Sequence, residues 1–337
     1  MHSSAVFVSW LVAFGLVAAH PGHSVEQELA ERQAGLANSP RSLNHCAAKI
    51  KARGLEARNV QRRSAWAASH GKTIAARDAD TVLATDHNET SLGYTLETDE
   101  ATLFSSNSSC ILSPIVTQGP YYVEGEYVRS DIVEDQEGVA LHLETQVYDY
   151  NTCEPVEGAY VEIWHCNSTG VYSGIVASGN GDSSDTSNLD KTFLRGVSVT
   201  DDEGVVTFDT LLPGHYLSRT NHIHAMVHLN ATPLANGTLY DLQASAVTQI
   251  FFDQTLVDAV EATDYYNTNT QAITTNAEDS IFLGEANDDT DPVASYTLLG
   301  DDVTDGLLAW LAFGIDTSVS TTIKPAAVYY ESGGVDN

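Results

Sequence analysis

The residues best placed to do chemistry lie between Arg219 and His228, in the stretch Arg-Thr-Asn-His-Ile-His-Ala-Met-Val-His. Ile223, Ala225, Val227 and Leu229 alternate with His222, His224, Met226 and His228. A period of two predicts a strand with one apolar face and one face of imidazoles. Two histidines at i and i+2 on such a face can converge on one metal ion, or can be an ordinary buried pair. Arg219 precedes His222 by three residues, so it would stand near the strand entrance, where a cation can sit beside a metal without ligating it.

A metal-binding strand of the cupin type also carries a Glu four or five residues past its second His, and His228 and Leu229 hold those positions here. A copper site on a new N-terminus is another reading, because cleavage after Ala19 would expose His20; Pro21 and a basic arm give it little support. His165, His215 and His228 are read as structural.

The elements that position this strand have a β texture. Leu141–Val147, Ala159–His165, Val205–Phe208, the His222 strand and Val247–Phe252 are short alternating segments separated by turn residues, the pattern of an antiparallel β-sandwich. Asp201-Asp-Glu-Gly reads as a hairpin turn between Val197–Val199 and Val205. Gly179 and its polar neighbours within Ser178–Asp190 read as a flexible surface loop, and Leu307–Phe313 as an apolar segment docked on the sheet. Ahead of the β region, Ser24–Ala37 opens with a capping-box pattern, and Ser42–Arg63 spaces Leu43, Ala47, Ile50, Ala57 and Val60 as on a helix interrupted by Gly54. The fold class expected is therefore mainly β, an antiparallel β-sandwich core with a helical N-terminal arm.

Charge divides the chain in the same place. Residues 1–77 hold ten of the fifteen Lys and Arg and four of the 46 acids, so this part is +6 and the rest −37. So acidic a body repels nucleic acid and anionic membranes and suits an extracellular surface. Val6 to Ala19 is an apolar run too short to span a bilayer and ends in Val-Ala-Ala, which predicts a signal peptide over 1–19 and a secreted protein. Glycosylation triplets begin at Asn88, Asn107, Asn167, Asn230 and Asn236. In an oxidising compartment Cys46, Cys110, Cys153 and Cys166 would form two disulfides in one of three connectivities; Cys46 with Cys110 would tie the arm to the body.

The expected organisation is a signal peptide (1–19), a helical arm (20–77), a linker (78–109), the sandwich core (110–260) and an acidic C-terminal extension packed on it (261–337). The arm is either a packing or homodimerisation element or a pro-segment released at Arg62-Arg63.

Several further motifs, in order, resemble the intradiol ring-cleavage dioxygenases in their secreted fungal form. Gly119-Pro-Tyr-Tyr-Val is similar to the family segment that supplies a first iron-ligating Tyr, here Tyr122. Gly158 through Tyr172-Ser is similar to the strand and turn that lead to a second, Tyr172. Arg195 to Phe208, Leu212-Pro-Gly-His-Tyr, Arg219 with His222 and His224, and Thr248-Gln-Ile-Phe-Phe complete the resemblance over about residues 110–255. Thr220-Asn221 departs from the family's frequent Pro-Ala, and Asn167 lies in a glycosylation triplet near Tyr172.

The resemblance implies Fe(III) held by Tyr122, Tyr172, His222 and His224, a catechol-type substrate, O₂ as co-substrate, and cleavage between the two hydroxylated carbons to a muconate-type diacid. Tyr172 would leave the metal and take a proton from the substrate. Arg219 would stabilise developing carbanion character and Gln249 would orient the substrate. Phenolate oxygen suits a hard trivalent cation, which lowers the phenol's usual pKa of about 10.

Overall fold

The computed structural model describes residues 43–69, 87–88, 109–111, 119–286, 291–330 and 333–336. The expected signal peptide, the helix at Ser24–Ala37, His20 and most of the linker lie outside these residues. The helices are α1 (Ala47–Ala52), α2 (Leu55–Ser69), α3 (Gln254–Glu261) and α4 (Ser280–Glu285). The first strands are β1 (Ser109–Ile111), β2 (Val123–Glu124), β3 (Ala140–Asp149), β4 (Glu154–Pro155), β5 (Tyr160–Trp164) and β6 (Arg195–Val199). Then come β7 (Val205–Leu211), β8 (His222–His228), β9 (Gln243–Ala244), β10 (Ala246–Phe251) and β11 (Ser295–Leu298). The chain finishes with β12 (Leu307–Ile315), β13 (Thr321–Thr322), β14 (Ala327–Tyr330) and β15 (Gly333–Asp336).

Two sheets form the mainly β body. One runs β10-β8-β5-β6 and is antiparallel throughout. The other runs β1-β12-β3-β4, with β7 also on β3 and β11 also on β12. Their facing sides pack Leu141, Leu143 and Val147 of β3 and Phe313 of β12 against Val161, Ile163, Ile223, Ala225, Val227 and Ile250. Fully burying a side chain of this size contributes roughly 1.5–3 kcal/mol.

The second sheet differs from expectation, because it is not purely antiparallel. β12 pairs parallel to both β3 and β1, with Leu307–Ile315 in register with Leu141–Asp149. Leu307–Phe313 is thus an interior strand rather than a segment laid on the sheet, and its unbroken apolar run is the pattern of a strand covered on both faces. The expected hairpin is also corrected. The Asp201–Gly204 turn forms, with Gly204 N–H on Asp201 O at 3.0 Å, but it joins β6 of one sheet to β7 of the other.

The helical arm docks on the outer face of β3. His142, Glu144, Gln146 and Tyr148 point outward there at a period of two, and α2 meets them with Asn59, Arg63 and Trp66 at helical spacing. Asn59 donates to Gln146 at 2.6 Å, Arg62 and Arg63 both donate to Glu144, and Trp66 stacks on His142 at 3.9 Å. Arg63, half of the dibasic pair, is 8% exposed. The break between α1 and α2 falls at Gly54, whose φ of +64° only glycine adopts freely. A disulfide joins Cys46 to Cys153, not to Cys110, and Cys166 is buried with a free thiol, so the expected two-disulfide scheme does not hold. Cys166 faces inward beside Tyr172 and Trp164, which its spacing did not reveal.

Candidate active site

β8 is buried along its whole length. Its odd-numbered residues enter the sandwich core, while His222, His224, Met226 and His228 share the opposite face. Cross-strand register sets their neighbours: Gln249 of β10 lies opposite His224, Trp164 of β5 lies on its other side, and Phe251 lies opposite His222. Trp164 stacks flat on the His224 ring, with centroids 4.8 Å apart and planes within 6°.

The two imidazoles converge. His222 Nε2 and His224 Nε2 are 3.2 Å apart, a separation suited to two donors each about 2.0–2.1 Å from one ion. His222 Nδ1 lies 2.6 Å from Thr220 O, so that nitrogen carries the proton and Nε2 is the acceptor nitrogen, facing the Tyr216 hydroxyl at 3.4 Å and Arg219 Nη1 at 3.5 Å. Gly119 brings the entering chain against His224: at φ +84°, a Cβ there would lie 2.8 Å from His224 Cε1.

Arg219 stands where the spacing put it. Its Nη1 is 3.5 Å from His222 Nε2 and donates to the Tyr216 hydroxyl at 3.4 Å, and its Nη2 donates to Gln249 Oε1. Asp279 Oδ2 fixes the guanidinium through Nε at 2.8 Å and also accepts from Thr220 N–H at 2.9 Å. Asp279 Oδ1 caps α4 through Ile281 and Phe282 N–H. Gln249 Nε2 is buried and has no partner among the described residues.

Tyr172 is fully buried, and its hydroxyl has no hydrogen-bond partner among the described residues. Its ring meets His224 edge-on at 6.2 Å, Tyr216 at 5.6 Å and Tyr121 at 4.7 Å. Burial holds its phenol well above the usual pKa, and Tyr216 and Cys166 add to that. The Ser178–Asp190 loop is what pins this residue. Asn180 binds both Tyr172 N–H and Tyr172 O, and Asn188 also donates to Tyr172 O, all within 2.9 Å. The segment read as flexible therefore buries two amides whose role polar composition could not reveal.

Tyr122 is set apart from that group. Its ring packs on Trp164 at 5.1 Å, and its hydroxyl donates to Glu162 Oε2 at 3.3 Å, so it reaches the histidines through Trp164. Burial, then the charges of Glu162, Glu126 and Glu124, push this phenol well above its ordinary pKa. Glu162 is also 2.9 Å from His228 Nε2. Burial alone would lower the His228 pKa, but its bonds to Asp241 and Glu162 outweigh that and raise it to about 9. The structure thus gathers His222, His224, Tyr172, Arg219 and Gln249 in one place. Tyr216, Trp164, Asp279 and Glu162, which sequence reading left out, build its walls.

His165 and His215 are engaged elsewhere, His165 with Thr210 Oγ1 at 2.8 Å and His215 with Glu261 at 2.9 Å. Burial lowers the His165 pKa to about 4, so that ring is neutral.

Two converging imidazole lone pairs beside a buried, unpartnered phenol are a donor set that fits a hard, multivalent metal ion. The sandwich thus carries a donor set that could hold a metal ion, and comparison with known proteins narrows the class. A sequence model of the family described as Dioxygenase matches residues 116–275. The solved intradiol ring-cleavage dioxygenase from Tetranychus urticae is 34% identical, and the match covers 61% of this chain and 95% of that one with a TM-score of 0.50. Catechol 1,2-dioxygenase from a Pseudomonas species is 36% identical over 110 residues, 31% of this chain and 32% of its own. The Candida albicans catechol 1,2-dioxygenase is 33% identical over 121 residues, 35% of this chain and 36% of its own. The chain belongs to the intradiol ring-cleavage dioxygenase family. It spans about a third of the length of the curated relatives it matches.

Proposed function

We propose that this protein is a secreted non-haem Fe(III) intradiol dioxygenase that opens catechol-type rings between the two hydroxylated carbons. The observation that carries the reading is the 3.2 Å approach of His222 and His224 Nε2 beside the unpartnered Tyr172 hydroxyl. His222, His224 and Tyr172 would hold the metal, joined by Tyr122 once its hydroxyl turns from Glu162. Bound Fe(III) would supply the Lewis acidity that turns phenols into phenolates and activates a catechol dianion toward O₂.

The chain's own residues then have separate tasks. Tyr172, as phenolate, accepts a proton from a catechol hydroxyl and so lets the substrate in. Arg219, held by Asp279 and Gln249, offers a preformed positive charge to the ring carbon that gains electron density. A charge fixed in advance is worth most where water is excluded, and His222, His224, Tyr172 and Gln249 are all at most 1% exposed. Gln249 presents its unpartnered Nε2–H₂ to a substrate oxygen. Tyr122 remains as an anchor, with Glu162 placed to take the proton that its phenol releases. Both oxygen atoms of O₂ enter the product, a muconate-type diacid. The family relationship and the names of the catechol 1,2-dioxygenase relatives support this substrate class. Secretion is supported by the apolar run ending at Ala19 and by the −37 body.

The test is a pair of variants and a product analysis. Tyr172→Phe should retain metal but slow turnover by roughly 10²–10⁴-fold, the range for losing a positioned base. His224→Ala should lose the metal. A diacid product fits cleavage between the hydroxylated carbons. An aldehyde-bearing product, or near-native activity of both variants, would overturn the assignment.

A further inference from the structure

Outside the site, one surface stands out in so acidic a molecule. Leu234, Asn236, Thr238, Tyr240, Tyr329 and Tyr330 line an open cleft of about 520 Å³, and no charged side chain lines it. The Tyr240 and Tyr330 rings are 6.2 Å apart and 28° from parallel. Leu234 and Tyr330 are 49% and 48% exposed.

Asn236 sits on the rim, in the triplet Asn236-Gly237-Thr238. It is exposed, at the tip of a turn closed by Leu234 N–H on Thr238 O at 2.8 Å. Its Oδ1 accepts from Thr238 N–H at 3.2 Å and Thr238 Oγ1 at 2.9 Å, which fixes the amide plane, and Nδ2 has no hydrogen bond among the described residues. Asn167 shows the opposite. Its Oδ1 takes three donors, its Nδ2 donates to Gln136 at 3.0 Å, and it belongs to the turn that delivers Tyr172.

We propose that Asn236 carries an N-linked glycan whose first N-acetylglucosamine units lie in the tyrosine cleft. A pyranose has an apolar C–H face and hydroxyl-bearing edges, so it covers neutral aromatic rings without needing a charged partner. The covalent link at the rim supplies the occupant at high local concentration. The inference rests on the secreted reading above.

The experiment uses the full chain secreted from a eukaryotic host. Peptide mapping after enzymatic glycan release should show Asn236 occupied, and Asn236→Gln should lose one glycan. Removing the glycan should lower the thermal midpoint, whereas trimming it to a single N-acetylglucosamine should not. Tyr330→Ala should abolish that difference without changing occupancy. A bare Asn236 in protein glycosylated elsewhere overturns the inference and leaves secretion standing. Protein that never leaves the host cell overturns the secreted reading and the inference with it, and protein secreted bare at every triplet overturns the inference alone. An occupied Asn236 whose removal leaves the midpoint unchanged in both wild type and Tyr330→Ala overturns the seat in the cleft.

Discussion

Asp279→Asn separates the anchoring of Arg219 from the fold around it. Asp279 is 1% exposed and uses both oxygens, one on Arg219 Nε and Thr220 N–H, the other on the first turn of α4. Asn caps a helix about as well as Asp, so the α4 cap survives when its carbonyl oxygen faces that turn. Its NH₂ then meets two donors, Arg219 Nε–H and Thr220 N–H. Both lost bonds ran to the carboxylate and were charge-assisted, about 1.5–3 kcal/mol each, for a total of roughly 3–6 kcal/mol. In a body of this size that lowers the thermal midpoint by roughly 6–24 °C. An unanchored Arg219 no longer offers a preorganised charge, so kcat should fall by about 10²-fold with KM little changed. Calorimetry and a ring-opening assay on iron-loaded enzyme measure both. Asp302→Asn, at the cap of an exposed turn, is the control and should change neither. Wild-type midpoint and turnover in Asp279→Asn would refute the assignment of Arg219's position to this carboxylate.

Three further outcomes follow from the geometry. Glu144→Ala leaves the buried Arg63 guanidinium without its carboxylate and should cost about 3–5 kcal/mol, seen as a lower midpoint and faster proteolysis at Arg62 or Arg63. His87 is buried between Asp253 and Asp291; burial opposes its charge, but the two bonds win and raise its pKa to about 9. Because the folded value is the higher one, this clamp is fully in force below about pH 6.5 and is lost as pH rises through 9. His87→Gln should therefore flatten the alkaline fall in midpoint between those values. Gly119→Ala places a Cβ 2.8 Å from His224 Cε1 at a φ of +84°, and should weaken metal retention without removing any ligand, as read by chelator competition.

Much of the site was legible because β-strand geometry is regular. The period of two from His222 to His228 put both imidazoles on one face, and the three-residue spacing put Arg219 at the strand entrance, whereas Gln249 came from the family resemblance alone. Tyr172 was found through its turn motif alone, since nothing in its own surroundings marks it. Asp279 and Glu162 were not legible: Asp279 is 60 residues from Arg219 in sequence, and a Glu within an apolar strand looks like any other buried acid. The same limit explains β12. An unbroken apolar run says that a segment is buried, but only tertiary pairing says that it lies between β1 and β3 and parallel to both. Disulfide choice depends likewise on chain path, which brought Cys153 rather than Cys110 to Cys46. The arm's basic residues did not reveal that Arg62 and Arg63 would both pair with Glu144, with Arg63 buried there.

The central claim is tested most directly by metal content and visible absorption of the purified protein, before and after catechol is added without oxygen. About one iron per chain, a phenolate-to-Fe(III) charge-transfer band, and a shift of that band to longer wavelength on adding catechol are the expected result. Protein that takes up no iron and stays colourless after iron loading would contradict the account, leaving a sandwich of this family without its chemistry.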